Sequence, residues 1–232
     1  MKTVRISVTQ LETWLYWLGR DDRDFAYLLQ ELRGEMPKSP AMLIGSALHK
    51  ALEHAPIGEA SFIEADGCRF IIQPKVELEL PDIQEMKLEQ EFVVSPTLTV
   101  EMVGKVDAWH GGTVWDHKTA NRFDADKMEG YLSSYQWRWY LLMTGVDTFQ
   151  YNIFVVDSEN WTRLDTVTAY NVTDFHTFRF YRYPGMEDDC LRKLKAFCDC
   201  LGLERMTAPK ALYNASLVPQ YCTLAQLLKT NR

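Results

Sequence analysis

Apolar residues recur at helical spacing in five segments of the chain. In the first of these segments, Leu11, Trp14 and Leu18 fall on one side of a 3.6-residue repeat. Thr9 and Glu12 stand in the order of a capping box, which predicts that this helix begins there. The predicted helices cover residues 9–18, 25–32, 44–53, 124–144 and 186–206.

Shorter runs rich in β-branched and aromatic residues predict strands. They cover Arg69–Gln73, Lys75–Leu80, Glu89–Val94, Leu98–Met102, Thr148–Val156 and Arg163–Tyr170. Asp174–Tyr183 is aromatic-rich, and its apolar pattern does not distinguish a helix from a strand. Helices and strands in this order predict an α/β fold with a mixed central β-sheet flanked by helices.

Gly111 and Gly112 separate two apolar-rich runs and predict a β-hairpin with a two-residue turn. Counting from this turn places Asp107 opposite Asp116, with Lys118 on the same face. Like charges side by side destabilise a sheet, and a hard divalent cation bound by their oxygens would relieve the repulsion. The alternative is a solvated hairpin edge on which Lys118 neutralises one aspartate, because a one-residue slip in register would separate the two carboxylates.

The composition is that of an ordinary globular protein, with 232 residues of which 47% are apolar and 25% charged. The net charge of −7 is unlike that of a generic nucleic-acid binder, although it is compatible with a local basic groove. No apolar run approaches the ~18 residues of a membrane span. The N-terminus has no signal-peptide core. We therefore expect a cytoplasmic protein without a membrane partner.

Five cysteines are present: Cys68, Cys190, Cys198, Cys200 and Cys222. An odd number in an intracellular protein argues against a disulfide framework. No pair has the CxxC spacing of a zinc site. We expect these cysteines to be buried or partly buried thiols.

Four motifs follow one another along the chain. Gly45–His49 fits the pattern G-x-x-x-H, Gly104–Asp107 fits G-x-x-D, Asp116–Thr119 fits D/E-x-K, and Gln136–Tyr140 fits Q-x-x-x-Y. In this order they resemble the PD-(D/E)XK nuclease superfamily, and within it the RecB-like exonuclease branch, which includes phage exonucleases and CRISPR-adaptation nucleases. The proline of the family name is absent, since Val106 precedes Asp107.

The resemblance implies a restriction-endonuclease-like core and a single nuclease domain over residues 1–232. Its parts would be a helical segment 1–56, a sheet region 57–170 with the catalytic hairpin 98–119 and a long helix 124–144 closed by Gly145, and a C-terminal helical part with a tail, 171–232.

The resemblance also implies a catalytic centre at the hairpin. Asp107 and Asp116 would bind Mg²⁺ or Mn²⁺, with His49 and the backbone carbonyl of His117 as further ligands, while the side chain of His117 points to the other face. Lys118 would orient the attacking water, whose acidity the metal increases.

Gln136 and Tyr140 would support this centre or contact the DNA strand; the alternative is an ordinary helix surface with core packing. Glu91 is a weaker candidate for the acidic cluster. Many relatives hold an iron–sulfur cluster with one N-terminal and three C-terminal cysteines. The tail 213–222 resembles that C-terminal segment but contains only Cys222, so we expect no cluster.

The activity implied is that of a metal-dependent deoxyribonuclease, an exonuclease acting from DNA ends in recombination or repair. Phages encode such enzymes beside a single-strand-annealing protein, which is an expected partner together with DNA. Some relatives thread DNA through a ring of subunits, so a homo-oligomer is also compatible. The alternatives are a structure- or site-specific endonuclease on the same fold, an inactive DNA-binding or regulatory protein, and a carbohydrate- or protein-interaction domain with surface aromatics.

Overall fold

The structure is a computed structural model that describes residues 1–22, 24–54, 62–72, 81–157 and 169–205. Within these residues the fold is α/β, with a mixed sheet of eight strands and six α-helices. The strands are β1 (Lys2–Ser7), β2 (Phe62–Ala65), β3 (Cys68–Ile72), β4 (Ile83–Ser95), β5 (Leu98–His110), β6 (Thr113–Ala120), β7 (Thr148–Val156) and β8 (Ala169–Tyr181). The helices are α1 (Val8–Leu18), α2 (Phe25–Leu32), α3 (Pro40–His54), α4 (Ala125–Ser133), α5 (Gln136–Thr144) and α6 (Met186–Cys200).

The strand order in the sheet is β1-β5-β6-β7-β8-β3-β2, and β4 pairs with β5. The predicted α/β class with a mixed central sheet is therefore confirmed. The described residues form two compact units, each built from separated segments. None of the described helices has the length and hydropathy needed to cross a membrane.

The first unit contains Met1–Met36, Leu88–Gly104 and the described residues from Tyr183 onward. In it, β1 pairs in parallel with the first half of β5, from Lys2 with Leu98 to Ser7 with Val103. Helix α1 begins one residue before the predicted start. Ser7 and Gln10 form its capping box, so the predicted box of Thr9 and Glu12 is wrong. Each pair fits the same sequence pattern, and the structure uses the earlier one because β1 ends at Ser7.

The second unit contains the described parts of Pro37–Lys87 and Lys105–Arg182. Here β6 and β7 are parallel, β7 and β8 antiparallel, and β8 and β3 parallel. Helix α3 packs on this sheet through a core formed by its own apolar side and residues of β2, β3, β7 and β8. The most deeply buried members are Ile44, Leu48, Phe70, Phe154, Val156, Tyr170 and Val172.

The long helix predicted over 124–144 is wrong, because the chain forms two helices with a break at Ser134. Ser134 has extended backbone angles, and its hydroxyl accepts a hydrogen bond from the backbone N–H of Gln136. A serine side chain that binds a nearby backbone N–H competes with helical hydrogen bonding. Gly145 closes α5 in the left-handed conformation, as predicted.

Other predicted elements are shifted or lie outside the described residues. The ambiguous segment after residue 174 belongs to strand β8, which runs on to Tyr181. Helix α6 ends at Cys200, followed by a short 3₁₀ helix, Leu203–Arg205, rather than continuing to 206. The predicted strand 75–80, most of the predicted strand 163–170 and the tail with Cys222 lie outside the described residues. The other four cysteines are buried thiols.

Candidate functional site

The β5–β6 hairpin has the predicted turn and the predicted register. Gly111 and Gly112 both have positive φ, 54° and 78°, as a tight two-residue hairpin turn requires. The recorded pairing runs from His110–Thr113 to Ala108–Trp115 and ends there, one step before the aspartates. The expected cross-strand pair of Asp107 and Asp116 is therefore absent from the ladder.

The side chain of Asp107 explains why the ladder stops. Its Oδ2 accepts a hydrogen bond of 2.7 Å from the backbone N–H of His117, the donor that the next ladder step would use. The strands thus open at this point, and the carboxylate of Asp107 lies in the opening. Within the second unit it faces helix α3, where His49 lies 3.4 Å from its Oδ2.

Asp116 is the most buried acid of the site, with its side chain 3% exposed. Its Oδ1 accepts a hydrogen bond of 2.9 Å from Nε2 of Gln136, and its Oδ2 lies 2.5 Å from Nζ of Lys118. Burial and the neighbouring charge of Asp107 raise the pKa of Asp116 to about 6, against the opposing effect of Lys118. The pairing of Lys118 with one aspartate is the arrangement that the alternative interpretation of the hairpin expected.

Asp107 has its own partner in helix α3, the imidazole of His49. Nδ1 of His49 lies 3.4 Å from Oδ2 of Asp107. Burial favours the neutral carboxyl, but the hydrogen bond and charge of His49 outweigh it and lower the pKa of Asp107 to about 2. Burial lowers the pKa of His49, and Asp107 more than compensates, so that the net shift is upward. Each carboxylate therefore has a nitrogen partner in the chain itself, Lys118 for Asp116 and the imidazole of His49 for Asp107.

Helix α3 brings His49 to the hairpin because Gly45 allows a close approach. A Cβ added at Gly45 would lie 2.8 Å from Oγ1 of Thr119 on β6, closer than real Cβ atoms come. His49 follows one helical turn later and faces the opening between the strands. The first and third sequence motifs thus meet through this contact.

Gln136 and Tyr140 support the site from helix α5. The hydroxyl of Tyr140 donates 2.8 Å to the backbone carbonyl of Lys105, two residues before Asp107, and Nε2 of Gln136 lies 3.3 Å from the same hydroxyl. Tyr140 is only 3% exposed, and burial raises the pKa of its phenol. Of the two roles expected for this pair, the geometry favours support of the site over contact with a DNA strand.

The side chain of His117 points away from Asp116, as expected from the alternation of faces. It is buried beside Phe154, and its Nδ1 lies 3.4 Å from Nδ2 of Asn152. Burial lowers the pKa of His117 to about 4, so the imidazole is neutral at pH 7. Glu91, the weaker acidic candidate, is exposed on β4 in the first unit.

A chain of polar side chains that was not predicted from the sequence lies behind His117. Arg179 donates 2.8 Å to Oε1 of Gln150, and Nε2 of Gln150 donates 2.7 Å to Oδ1 of Asn152. Gln150 and Asn152 are buried in β7. Two amides in an otherwise apolar, buried strand are the signal that could have revealed them, since buried polar groups need partners.

A small cleft on the α3 side was likewise not predicted from the sequence. Its wall includes His49, Glu53, Gln84, Glu85 and Asp107. Glu85 has a positive φ of 57°, unusual for a residue with a side chain, and its carboxylate is paired with Lys105. Among the described residues, no three His, Cys, Asp or Glu side chains form a group that could hold a metal ion. The predicted ligands are thus neighbours, but they do not form a preassembled metal cage.

No protein-family model and no curated protein matches the sequence. Among solved structures, the chain is similar to one described as "Crystal structure of SSO0001", with 14% sequence identity and a TM-score of 0.48. The alignment covers 84% of this chain and 75% of that chain. A likeness of this size carries no argument about function, so a function has to be argued from the site.

Proposed function

We propose that this protein is a metal-dependent deoxyribonuclease with a restriction-endonuclease-like core, of the RecB-like branch of the PD-(D/E)XK superfamily. The observation that supports the proposal is the meeting of four separate sequence motifs. His49, Asp107, the Asp116–Lys118 pair and the Gln136–Tyr140 pair come from different elements and contact one another around one opening in the sheet. A solvated hairpin edge would account for the Asp116–Lys118 pair but would require none of the other contacts.

The donor set fits a hard divalent cation in its chemistry. Asp107, Asp116, His49 and the carbonyl of His117 would hold Mg²⁺ or Mn²⁺, which prefer oxygen ligands with an occasional imidazole. Oδ2 of Asp116 is buried, with the ammonium of Lys118 as its contact. Such an ion would supply Lewis-acid stabilisation of a phosphate oxygen and a more acidic water.

The chain's own residues would do the positioning. Gln136 holds Asp116 through Oδ1 and leaves the Oδ2 side to Lys118. Lys118 is 27% exposed, and its ammonium is the cationic group that would face a phosphate entering from solvent. The negative charge of Asp116 helps to raise the pKa of Lys118, so this side chain stays protonated and acts by charge and hydrogen bonding rather than as a base.

The test is a cleavage assay on linear, nicked and closed circular duplexes and on single strands, with Mg²⁺, Mn²⁺ or EDTA. We expect metal-dependent loss of linear DNA, intact closed circles, and no cleavage after Asp107→Asn, Asp116→Asn or Lys118→Ala. Asp126→Asn, on the exposed first turn of α4, is the matched control and should remain active. Cleavage in EDTA, or by folded Asp116→Asn, would refute the proposal.

Metal binding needs a separate measurement, because the ligands are not preassembled. Titration of Mn²⁺ followed by its electron paramagnetic resonance signal should show binding to the protein that Asp107→Asn and Asp116→Asn weaken and Asp126→Asn leaves unchanged. Equal binding by all four proteins would place the ion elsewhere and contradict the assignment of these ligands.

Two other functions are distinguished by the same assay. Cleavage of closed circles would favour an endonuclease on this fold. Binding of DNA without cleavage under any metal would favour an inactive DNA-binding protein. The buried and internally balanced acid pair supports the active form, since burying two carboxylates has a cost that a mere binding surface would avoid. Action from DNA ends in recombination or repair, a single-strand-annealing partner, a homo-oligomer and a cytoplasmic location remain part of the proposal.

A further inference from the structure

The face of the sheet that carries Asp116 and Lys118 continues into a row of aromatic side chains. On this face, Tyr151 of β7 is the register partner of Asp116, and Phe178 of β8 is the register partner of Tyr151. Two residues further along β6, Lys118 has a register partner on β7, and His176 of β8 is the register partner of that same β7 residue. Since register partners in a sheet point to the same side, these side chains form one continuous surface.

Two further rings from outside the strands complete this surface. Phe123, in the connection after β6, lies with its ring centroid 4.6 Å from that of His176 and 5.0 Å from that of Phe178. Tyr131 of α4 lies 4.9 Å from Tyr151. Nζ of Lys118 is 5.6 Å from the ring centroid of Tyr151. We call the four rings Phe123, Tyr131, His176 and Phe178 the aromatic strip; it extends outward from Lys118.

The strip is partly open to solvent, unlike the aromatic core below it. All four of its residues have intermediate exposure, whereas Tyr151 is fully buried. Helix α4 does not seal the surface, because its eight residues other than Tyr131 are exposed. A purely structural aromatic cluster would be expected to lose most of its exposure, as those in the core do.

The chemistry of the strip fits a single nucleic-acid strand better than a duplex or an apolar protein surface. Unpaired bases stack on aromatic side chains, and a nearby cation follows the phosphates. Arg122 precedes the first ring of the strip; it pairs with Asp124 at 3.0 Å, and its side chain is 71% exposed. Lys118, which pairs with Asp116, lies on the same face of the sheet. In a duplex the base faces are already stacked on one another and cannot use these rings.

We infer that the aromatic strip is a stacking platform that holds a single strand next to Lys118. The inference rests on the proposed nuclease function and deepens it, since the substrate strand would then reach the site unpaired. Duplex DNA would have to be separated at an end before its strand could lie on the strip.

The test measures binding without cleavage. A short fluorescently labelled oligothymidylate and a duplex of matched length are titrated with the protein in EDTA at low salt, with fluorescence anisotropy as the readout. Phe123→Leu keeps the apolar volume but removes the flat ring. It should weaken binding of the single strand about fivefold or more, with less effect on the duplex. Phe123→Tyr should bind as the wild type does.

The controls separate the strip from general surface effects. Tyr181 lies on the same strand as Phe178 but on the opposite face and is 61% exposed, so Tyr181→Leu should leave binding unchanged. His176→Leu is a second, independent variant that should weaken binding like Phe123→Leu. Thermal unfolding identifies any variant that fails to fold.

The outcomes distinguish this inference from the proposed function. If Phe123→Leu and His176→Leu bind the single strand as tightly as the wild type, or if Tyr181→Leu loses as much, the inference is overturned even when the wild type cleaves DNA. If Phe123→Leu and His176→Leu weaken single-strand binding as predicted but no DNA is cleaved with any metal, the inference about the aromatic strip is supported and the nuclease proposal fails.

Discussion

Gln136 on α5 donates a hydrogen bond of 2.9 Å to Oδ1 of Asp116, the most buried carboxylate of the site. The amide fixes the orientation of this carboxylate and leaves Oδ2 to Lys118. Asp116 carries a charge in a poorly solvated place. The loss of one of its hydrogen-bonding partners should therefore destabilise the folded chain and disturb the orientation of this carboxylate.

Gln136→Leu should therefore lower the free energy of unfolding by about 1–3 kcal/mol and reduce cleavage more than it reduces DNA binding. Gln136→Glu should be worse at neutral pH, because it places a second carboxylate against Asp116. Urea unfolding and the cleavage assay measure the two effects. Gln30→Leu, an exposed glutamine on α2, is the matched control. Wild-type stability of Gln136→Glu at pH 7 would contradict the role of this hydrogen bond.

Gly45→Ala should be destabilising, although an alanine normally stabilises a helix interior by up to about 1 kcal/mol over glycine. The added Cβ would meet Oγ1 of Thr119 at 2.8 Å. Overpacking of this kind costs about 1–3 kcal/mol. Gly130→Ala on α4, where nothing lies within 4 Å, should instead be neutral or stabilising. Urea unfolding of both variants gives the signs directly.

A double mutant tests the cause of the Gly45 effect. Thr119→Ala removes the hydroxyl that the new methyl group would contact, so the cost of Gly45→Ala should shrink in that background. The coupling between the two positions should be favourable by about 0.5–3 kcal/mol, the range for residues in direct contact. Additive effects would mean that helix α3 is not held close to β6 at this point.

The hairpin turn can be tested by exchanging its glycines. Gly112→Ala places a side chain at φ 78° and should cost about 1–2 kcal/mol of stability. Gly111→Asn should be nearly neutral, since Asn-Gly is a favoured pair in turns of this kind. Both positions have open space around them, so the difference reports backbone strain alone. Thermal unfolding measures this difference in stability. Equal losses of stability in Gly112→Ala and Gly111→Asn would contradict the turn type.

The features that the sequence predicted correctly are those set by local rules. Gly111 and Gly112 fix the turn, and the turn fixes the register as far as Ala108 and Trp115. Gly145 ends α5 because it adopts the left-handed conformation without strain. These outcomes need no knowledge of the rest of the fold.

The features that could not be predicted are those where a side chain takes the place of a backbone partner. Asp107 accepts the N–H of His117 and ends the ladder, and Ser134 accepts the N–H of Gln136 and breaks the helix. Both residues fit the surrounding periodicity, so a pattern of apolar positions cannot show the exchange. The contact of Asp107 with His49 depends on how closely α3 approaches the sheet, which is a property of tertiary packing.

A last prediction concerns Cys198, which is buried in the first unit. Burial raises the pKa of its thiol to about 12, from an ordinary value of 9.0. Above pH 9 the unfolded chain therefore loses this proton while the folded chain keeps it. The folded state binds more protons in this range, so stability falls as pH rises, by at most about 1.4 kcal/mol per pH unit from this group.

Urea unfolding of the wild type and of Cys198→Ala at several pH values from 8 to about 11, with reductant present, isolates this contribution. Cys198→Ala should be less stable at pH 8 because of lost packing, but its stability should fall less steeply above pH 9. Leu194→Ala, which removes a buried side chain of the same helix without a titrating group, should lose stability and keep the wild-type slope. Parallel slopes for the wild type and Cys198→Ala would show that the thiol ionises as easily in the folded chain as in the unfolded one.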